Sequence, residues 1–248
     1  MNLKRSLAGV VAAAAAGAAA LTIVVFARPS DPLLGFPRVV VWAWERREDL
    51  RWLDPKEAGV AFLSRTVWLN GGAVWFRPRL SPLQVPPGTA LMAVVRVESG
   101  GKANADTREA AEAIAEPAWL EGVRALQVDF DAVESERPFY RAVLGELRRR
   151  MPEHMPLSIT ALASWCGSDS WMDGLPVAEA VPMLFRMGPE RYSAGSDFGP
   201  RLCRASLGIS TDEPLQGLPG GRRMYIFRPG AWTQAAFQSA LREARRWQ

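Results

Sequence analysis

Apolar residues are distributed along this chain in two ways. Behind Lys4-Arg5, one uncharged apolar run extends from Leu7 to Ala27. Beyond a short linker, Pro29-Ser30-Asp31-Pro32, runs of strand length recur, most of them ending in polar residues. They are Val39–Trp44, Val60–Leu69, Ala90–Val97, Val123–Phe130, Leu157–Ala163, Ala180–Met187, Ala205–Ser210 and Met224–Phe227. The Asn70-Gly71-Gly72 turn followed by Ala73–Phe76 predicts a hairpin on the end of the second run. Helical periodicity lies between several runs. Asp106–Ala115 has Asp106 as a candidate cap, and Arg137–Arg150 carries Phe139, Val143, Leu144 and Leu147 on one face. Ala231–Trp247 closes the chain with Phe237, Leu241 and Ala244 in register.

Eight strand-like runs, alternating with helices in the second half, predict an α/β fold. The expected form is a (β/α)8 TIM-type barrel over residues 36–248, near the lower size limit of that architecture and preceded by an N-terminal apolar helix. Arg77–Gly88 is too rich in proline for a regular helix, so the barrel is expected to be small and distorted or incomplete. An open parallel sheet is the alternative, although no glycine-rich phosphate loop follows the first run to favour it.

A basic head before an apolar stretch reads as an export signal. Val25-Phe26-Ala27 puts small or apolar residues where a signal peptidase could cut before Arg28. The run is nevertheless longer than a usual signal core and reaches the length that spans a bilayer. Residues 1–30 are therefore a cleaved signal peptide or a retained membrane anchor, with a buried core helix as the remaining alternative. The expected location is the periplasm or cell envelope, secreted or tethered, with membrane contact through this segment if it stays.

The apolar fraction of 48% fits a packed core, and the net charge is +4 with a pI of about 9.5. The basic residues form short clusters such as Arg148-Arg149-Arg150, which read as solvated faces, so no nucleic-acid partner is expected. The only histidine, His154, precedes the fifth run, at the end of a barrel that serves stability. That position argues against a histidine-based triad or a His-rich zinc site. No metal and no cofactor are expected: an Asp-x-Asp motif alone supplies too few oxygens for a hard cation. Carboxylate chemistry remains, the kind that glycoside hydrolysis uses.

Parity along the fourth run is informative. Side chains alternate across a strand, so Leu126, Val128 and Phe130 face the covering helices while Gln127, Asp129 and Asp131 face inward. Two carboxylates at the carboxyl end of a barrel strand sit where such barrels place their chemistry. Their proximity raises one pKa, which can leave one acid protonated beside an ionised neighbour. The same reasoning nominates Glu45, Arg65, Arg96, Glu98, Arg186, Asp212 and Arg228 around one mouth. Asp129, Asp131, Glu45, Glu98 and Asp212 are the candidate catalytic acids. Trp44, Arg65, Arg96, Gln127, Trp165, Arg186 and Arg228 are the candidate substrate-binding residues. An ion-pair network that fills the barrel is the structural alternative. The chain has ten Trp. Trp44, Trp165, Trp171 and Trp232 lie at or just beyond strand ends, where flat rings would suit sugars as well as cores.

Cys166 and Cys203 are the only cysteines, and export permits a disulfide between them. Barrel topology puts Cys166 at the mouth and Cys203 near the other end. A bridge needs Cα atoms within roughly 7 Å, so on this reading Gly188–Leu202 would have to rise over the mouth. Both states stay open.

Leu126–Ala132 (LQVDFDA), Leu157–Cys166 (LSITALASWC), Ala180–Gly188 (AVPMLFRMG) and Ser206–Pro214 (SLGISTDEP) resemble a bacterial family named only as domain of unknown function 3142. Val41–Leu53 and Val60–Arg65 fit it too, so the resemblance spans residues 38–230 or thereabouts. That family is similar to glycoside-hydrolase barrels, which implies a sugar connection by analogy. The fourth strand of chitinase-type barrels reads Asp-x-x-Asp-x-Asp-x-Glu. Asp129 and Asp131 match its two middle acids, Leu126 stands at the first acid position, and Val133 stands at the glutamate with Glu134 one residue late. The expectation is a carbohydrate-active hydrolase using carboxylates at the mouth. The alternative is a non-catalytic envelope module that binds a glycan or a protein. Excess arginine favours an anionic ligand in either case.

Overall fold

The computed structural model describes residues 33–167, 170–187, 198–214 and 217–248. The apolar segment 7–27, the linker 29–32 and most of the 188–202 stretch lie outside the described residues. All eight runs form strands: β1 (Val39–Ala43), β2 (Ala58–Asn70), β3 (Leu91–Glu98), β4 (Val123–Asp129), β5 (Leu157–Leu162), β6 (Glu179–Met183), β7 (Ser206–Ser210) and β8 (Arg223–Phe227). Each is parallel to its chain neighbour. β1 pairs with both β2 and β8, with Val40 opposite Gly59 on one side and Tyr225 on the other. That closure makes a barrel and rules out the open sheet.

Closure sorts the side chains into two cores. Val40, Trp42, Ala61, Met92, Val94, Ala125, Val181 and Tyr225 fill the interior, with Leu33 and Phe36 packed into the same cluster. Val41, Val60, Val95, Leu126, Val128, Ile159 and Leu207 belong to the larger outer core under the helices. Gly208 of β7 is small because Met183 crosses the interior there; a Cβ would meet its sulfur at 2.5 Å.

Three α-helices are present among the described residues: α1 (Thr107–Ala115) after β3, α2 (Arg137–Arg150) after β4 and α3 (Gln234–Arg245) after β8. Asp106 caps α1 by accepting from the N–H groups of Arg108 and Glu109, and Thr233 caps α3 through Ala236. α2 buries Tyr140, Val143, Leu144 and Leu147. Phe139, expected on that face, is only partly buried because Tyr140 takes its place in the core. No helix follows β1 or β2. There the proline-rich stretch is held by Arg79, whose guanidinium donates to the carbonyls of Ala43, Trp44, Arg46, Leu63 and Ser81. One side chain thus satisfies strand-end carbonyls that a following helix would otherwise cover.

β2 runs on past the barrel and folds back through Gly71-Gly72 onto Ala73–Pro78. Both glycines have positive φ, 59° and 84°, as a two-residue hairpin turn requires. Lower down, β2 carries a bulge between Leu63 and Arg65. A bulge adds one unpaired residue and so exchanges the two faces beyond it. Arg65 consequently points outward, opposite to the parity expectation. It donates to Ala113 O of α1 (2.8 Å) and pairs with Glu116 at 2.6 Å.

The two cysteines are joined, with Cα atoms 5.8 Å apart. The bridge does not cross the mouth. After β5 a 3-10 turn, Ala163–Cys166, leaves the strand and buries Trp165 and Cys166 in the outer core with Cys203, Met172 and Phe198. Arg222, at the amino end of β8, donates to Cys203 O. Linking residues 37 apart in sequence removes unfolded-state entropy worth about 2–4 kcal/mol. Replacing both cysteines by serine is therefore expected to lower the unfolding free energy by about that amount. Urea denaturation of the two proteins would measure it, and added dithiothreitol should reproduce the loss in the parent alone.

Candidate functional site

Strands β1, β3, β4, β5, β6, β7 and β8 end around a cleft of about 440 Å³ at the carboxyl face of the barrel. Its floor is aromatic. Trp42 lies 3.9 Å from Phe227 and 5.5 Å from Trp44 between ring centroids, and Phe227 lies 4.7 Å from Phe185. Asp129 and Asp131 line one side, and Arg46, Arg96, Arg186 and Arg228 are distributed around it.

Inward parity on β4 holds as the register requires: Gln127 pairs with Val94 and Ser158, and Asp129 pairs with Arg96. The two aspartates nevertheless differ. Asp129 is buried; it accepts from the Thr160 hydroxyl (2.8 Å) and from Arg96 Nη1 (2.9 Å). Burial pushes its carboxyl above the ordinary range, Asp131 adds to that push, and Arg96 and Thr160 oppose it. Asp131 is exposed at the cleft. Arg96 also donates to Glu98 (3.1 Å) and lies 5.7 Å from the Trp44 ring, so it ties the acidic pair to the aromatic floor.

Below the cleft a donor chain runs down the interior. Trp42 Nε1 donates to Gln127, Gln127 to Ser158, and Ser158 to Glu179 Oε1, each at 3.0–3.2 Å. Tyr225 donates to the same Glu179 oxygen at 2.6 Å, and Arg223 stands 3.8 Å from the other. Arg223 also donates to Leu33 O and Pro37 O. Burial pushes the Glu179 carboxyl up, against the Tyr225 hydrogen bond and the Arg223 charge. These groups close the amino end of the barrel.

Of the nominated residues, the fold brings Trp44, Arg96, Asp129, Asp131, Arg186 and Arg228 to one cleft. Gln127 lies beneath it, accepting from Trp42 and donating to Ser158. Glu45 turns to Arg77 of the hairpin at 2.8 Å. Glu98 lines a different groove with Trp68. Asp212 does not line the cleft: it is exposed and bonded by the Ser210 hydroxyl, which holds its carboxyl below the usual range. Arg65 is outside because of the bulge. Trp165 is in the outer core, edge-on to Trp171 at 4.9 Å, because the 3-10 turn carries it off the strand. Trp232 is buried too, donating to Trp42 O and taking Glu48 on its N–H.

Phe185, Phe227 and Arg46 of the cleft escaped the sequence reading, as did Glu179 and Arg223. Phe227 is two residues from inward Tyr225, so strand parity could have found it. Glu179 and Arg223 stand one residue before the apolar runs that mark β6 and β8. Arg186 has φ of +54°, and its N–H donates to Glu213 at 2.9 Å. A side chain held in the left-handed region costs about 1 kcal/mol or more and persists only where the surroundings enforce it.

The chain is similar over residues 87–181 to the family described as Domain of unknown function (DUF3142). That stretch contains Arg96, Asp129, Asp131, Ser158, Thr160 and Glu179. No curated protein and no solved structure matches the chain significantly.

The raised Asp129 pKa sets a sign. Its folded value lies above the unfolded one, so its contribution to stability is present at pH below the unfolded value, about 3.9, and is lost as pH rises through the folded value. Asp129→Asn cannot titrate. The stability of the parent minus that of Asp129→Asn is therefore expected to fall between acidic and neutral pH, read from denaturant midpoints across that range. A flat difference would show that the carboxyl is not perturbed.

Proposed function

We propose that the protein is an extracytoplasmic barrel that binds an acidic glycan in the cleft at the carboxyl face. The single observation that carries this reading is the composition of that cleft: an aromatic floor ringed by four arginines against two aspartates, one of them buried against Arg96. Flat rings with polar tips suit the apolar faces of pyranoses, and guanidinium groups suit carboxylate or sulfate substituents. The Cys166–Cys203 bridge and the apolar segment behind Lys4-Arg5 support an oxidising compartment outside the cytoplasm. The similarity of β4 to glycosidase-type strands supports a sugar ligand by analogy.

Hydrolysis is the second reading, and one observation favours it: Asp129 is biased toward its protonated form while Asp131 faces the cleft. That resembles paired acids of which one is buried and the other open to the ligand. Binding is the stronger reading because, among the described residues, no other acid lines the cleft. Val133 is exposed, and the nearby Glu136 is buried, accepting from Ala103 N and Val133 N as a local cap. A chitinase-like glutamate is thus missing from its place.

Calorimetric titration of the protein with oligogalacturonates, chondroitin sulfate oligomers and neutral chito-oligosaccharides tests this. Acidic oligomers are expected to bind more tightly than neutral ones, and added salt should weaken them. Arg228→Gln should weaken acidic-oligomer binding by about tenfold or more, the worth of a charge-assisted hydrogen bond. Equal affinity for neutral and acidic oligomers, or none for either, would sink the reading. Chain cleavage by the parent that disappears in Asp131→Asn would establish hydrolysis instead.

A further inference from the structure

The hairpin on β2 holds two tryptophans that the barrel does not need. Trp68 and Trp75 stand directly opposite each other in the antiparallel register, so their side chains share one face. Trp75 is 67% exposed. The other face of the hairpin is engaged: Phe76 lies 4.1 Å from the Arg65 guanidinium. On the tryptophan face Arg77 lies 5.8 Å from the Trp68 ring, and Trp75 stands open beside it. This face forms part of a groove of about 670 Å³, whose rim is polar and carries Asn70, Glu98, Lys102 and Asn104. Asn104 Oδ1 accepts from Gly72 N, which leaves its amide N–H groups to donate to a ligand.

This groove connects to the cleft. Glu98 accepts from Trp68 Nε1 at 2.9 Å and from Arg96 Nε at 3.1 Å, and Arg96 lines the cleft beside Trp44. The path Trp44, Arg96, Glu98, Trp68, Trp75 is a row of aromatic faces joined by an ion pair. A continuous apolar strip would suit an acyl chain or an amphipathic helix. Flat rings alternating with amide, ammonium and carboxylate groups suit successive pyranose units, whose faces are apolar and whose edges are hydroxyls.

We propose that the Trp68–Trp75 groove is a second sugar subsite, and that a glycan chain entering the cleft continues across the Arg96–Glu98 pair onto the hairpin. The inference rests on the glycan-binding reading of the cleft and adds that the ligand is a chain rather than a single sugar. The full chain, and its Trp75→Ala and Trp75→Phe variants, would be titrated with oligogalacturonates and chondroitin sulfate oligomers from the dimer upward. Affinity of the parent should rise with length. Trp75→Ala should lose that rise, about five- to tenfold for the long oligomers, with dimer affinity unchanged, and Trp75→Phe should retain most of it. Since Trp75 is exposed, the variants should keep the parent circular-dichroism spectrum.

Failure of every oligomer to bind the parent would remove the glycan reading of the cleft itself. Binding with the same gain from length in Trp75→Ala would remove only the hairpin subsite. Loss of phosphatidylglycerol-vesicle binding in Trp75→Ala, with oligomer affinities intact, would assign the groove to a lipid surface and overturn the proposal.

Discussion

A closed ring of parallel strands must fill its own interior, and in this protein Trp42 sits at the centre of that requirement. Its ring packs at a tilt against Phe227 and Trp44 at the mouth, while its indole N–H begins the donor chain through Gln127 and Ser158 to Glu179. Its carbonyl receives Trp232 from the loop leading to α3. The same residue therefore supports the floor of the cleft, the polar column beneath it and the closing segment of the chain. A buried carboxylate such as Glu179 is tolerable only because Tyr225, Ser158 and Arg223 surround it; removal of any one would leave charge or a polar atom unmet in the interior.

Asp129 at the end of β4 and Asp131 just beyond it illustrate how position along one segment sets chemistry. They are separated by one residue and face the same way. Asp129 lies in the barrel under Arg96 and Thr160, where burial pushes its carboxyl above the ordinary range against the pull of those two partners. Asp131 stands one step higher, in the open cleft. Arg96 mediates between the interior and the surface: it holds Asp129, braces Glu98 and leans over Trp44. Among the described residues four arginines face two aspartates in the cleft, and this excess of positive charge is what the proposed acidic ligand rests on.

The outer layer departs from regular helix coverage, and other devices take over where helices are missing. Arg79 satisfies strand-end carbonyls beside the proline-rich stretch. The Cys166–Cys203 bridge ties the segment after β5 to the segment before β7. The bulge at Ser64 turns Arg65 onto α1 and Glu116. Each compensates locally for an irregular connection while leaving the parallel ring closed.

The amino-acid sequence by itself determined the eight strands, the hairpin, the limits of α2 and the N-cap of α1, because apolar periodicity, paired glycines and capping residues act through neighbours in the chain. It also determined the inward set on β4, since alternation needs no partner to be known. Tertiary structure decided what alternation cannot carry across an irregularity. The single inserted residue at Ser64 sent Arg65 out of the barrel, and the 3-10 turn after β5 took Trp165 into the outer core and brought Cys166 to Cys203 without crossing the mouth. It also extended β6 and β8 by one residue each, so that Glu179 and Arg223 meet inside. Pairing between strands distant in the chain sets those registers, and no local pattern encodes the partner that a side chain will find across the ring.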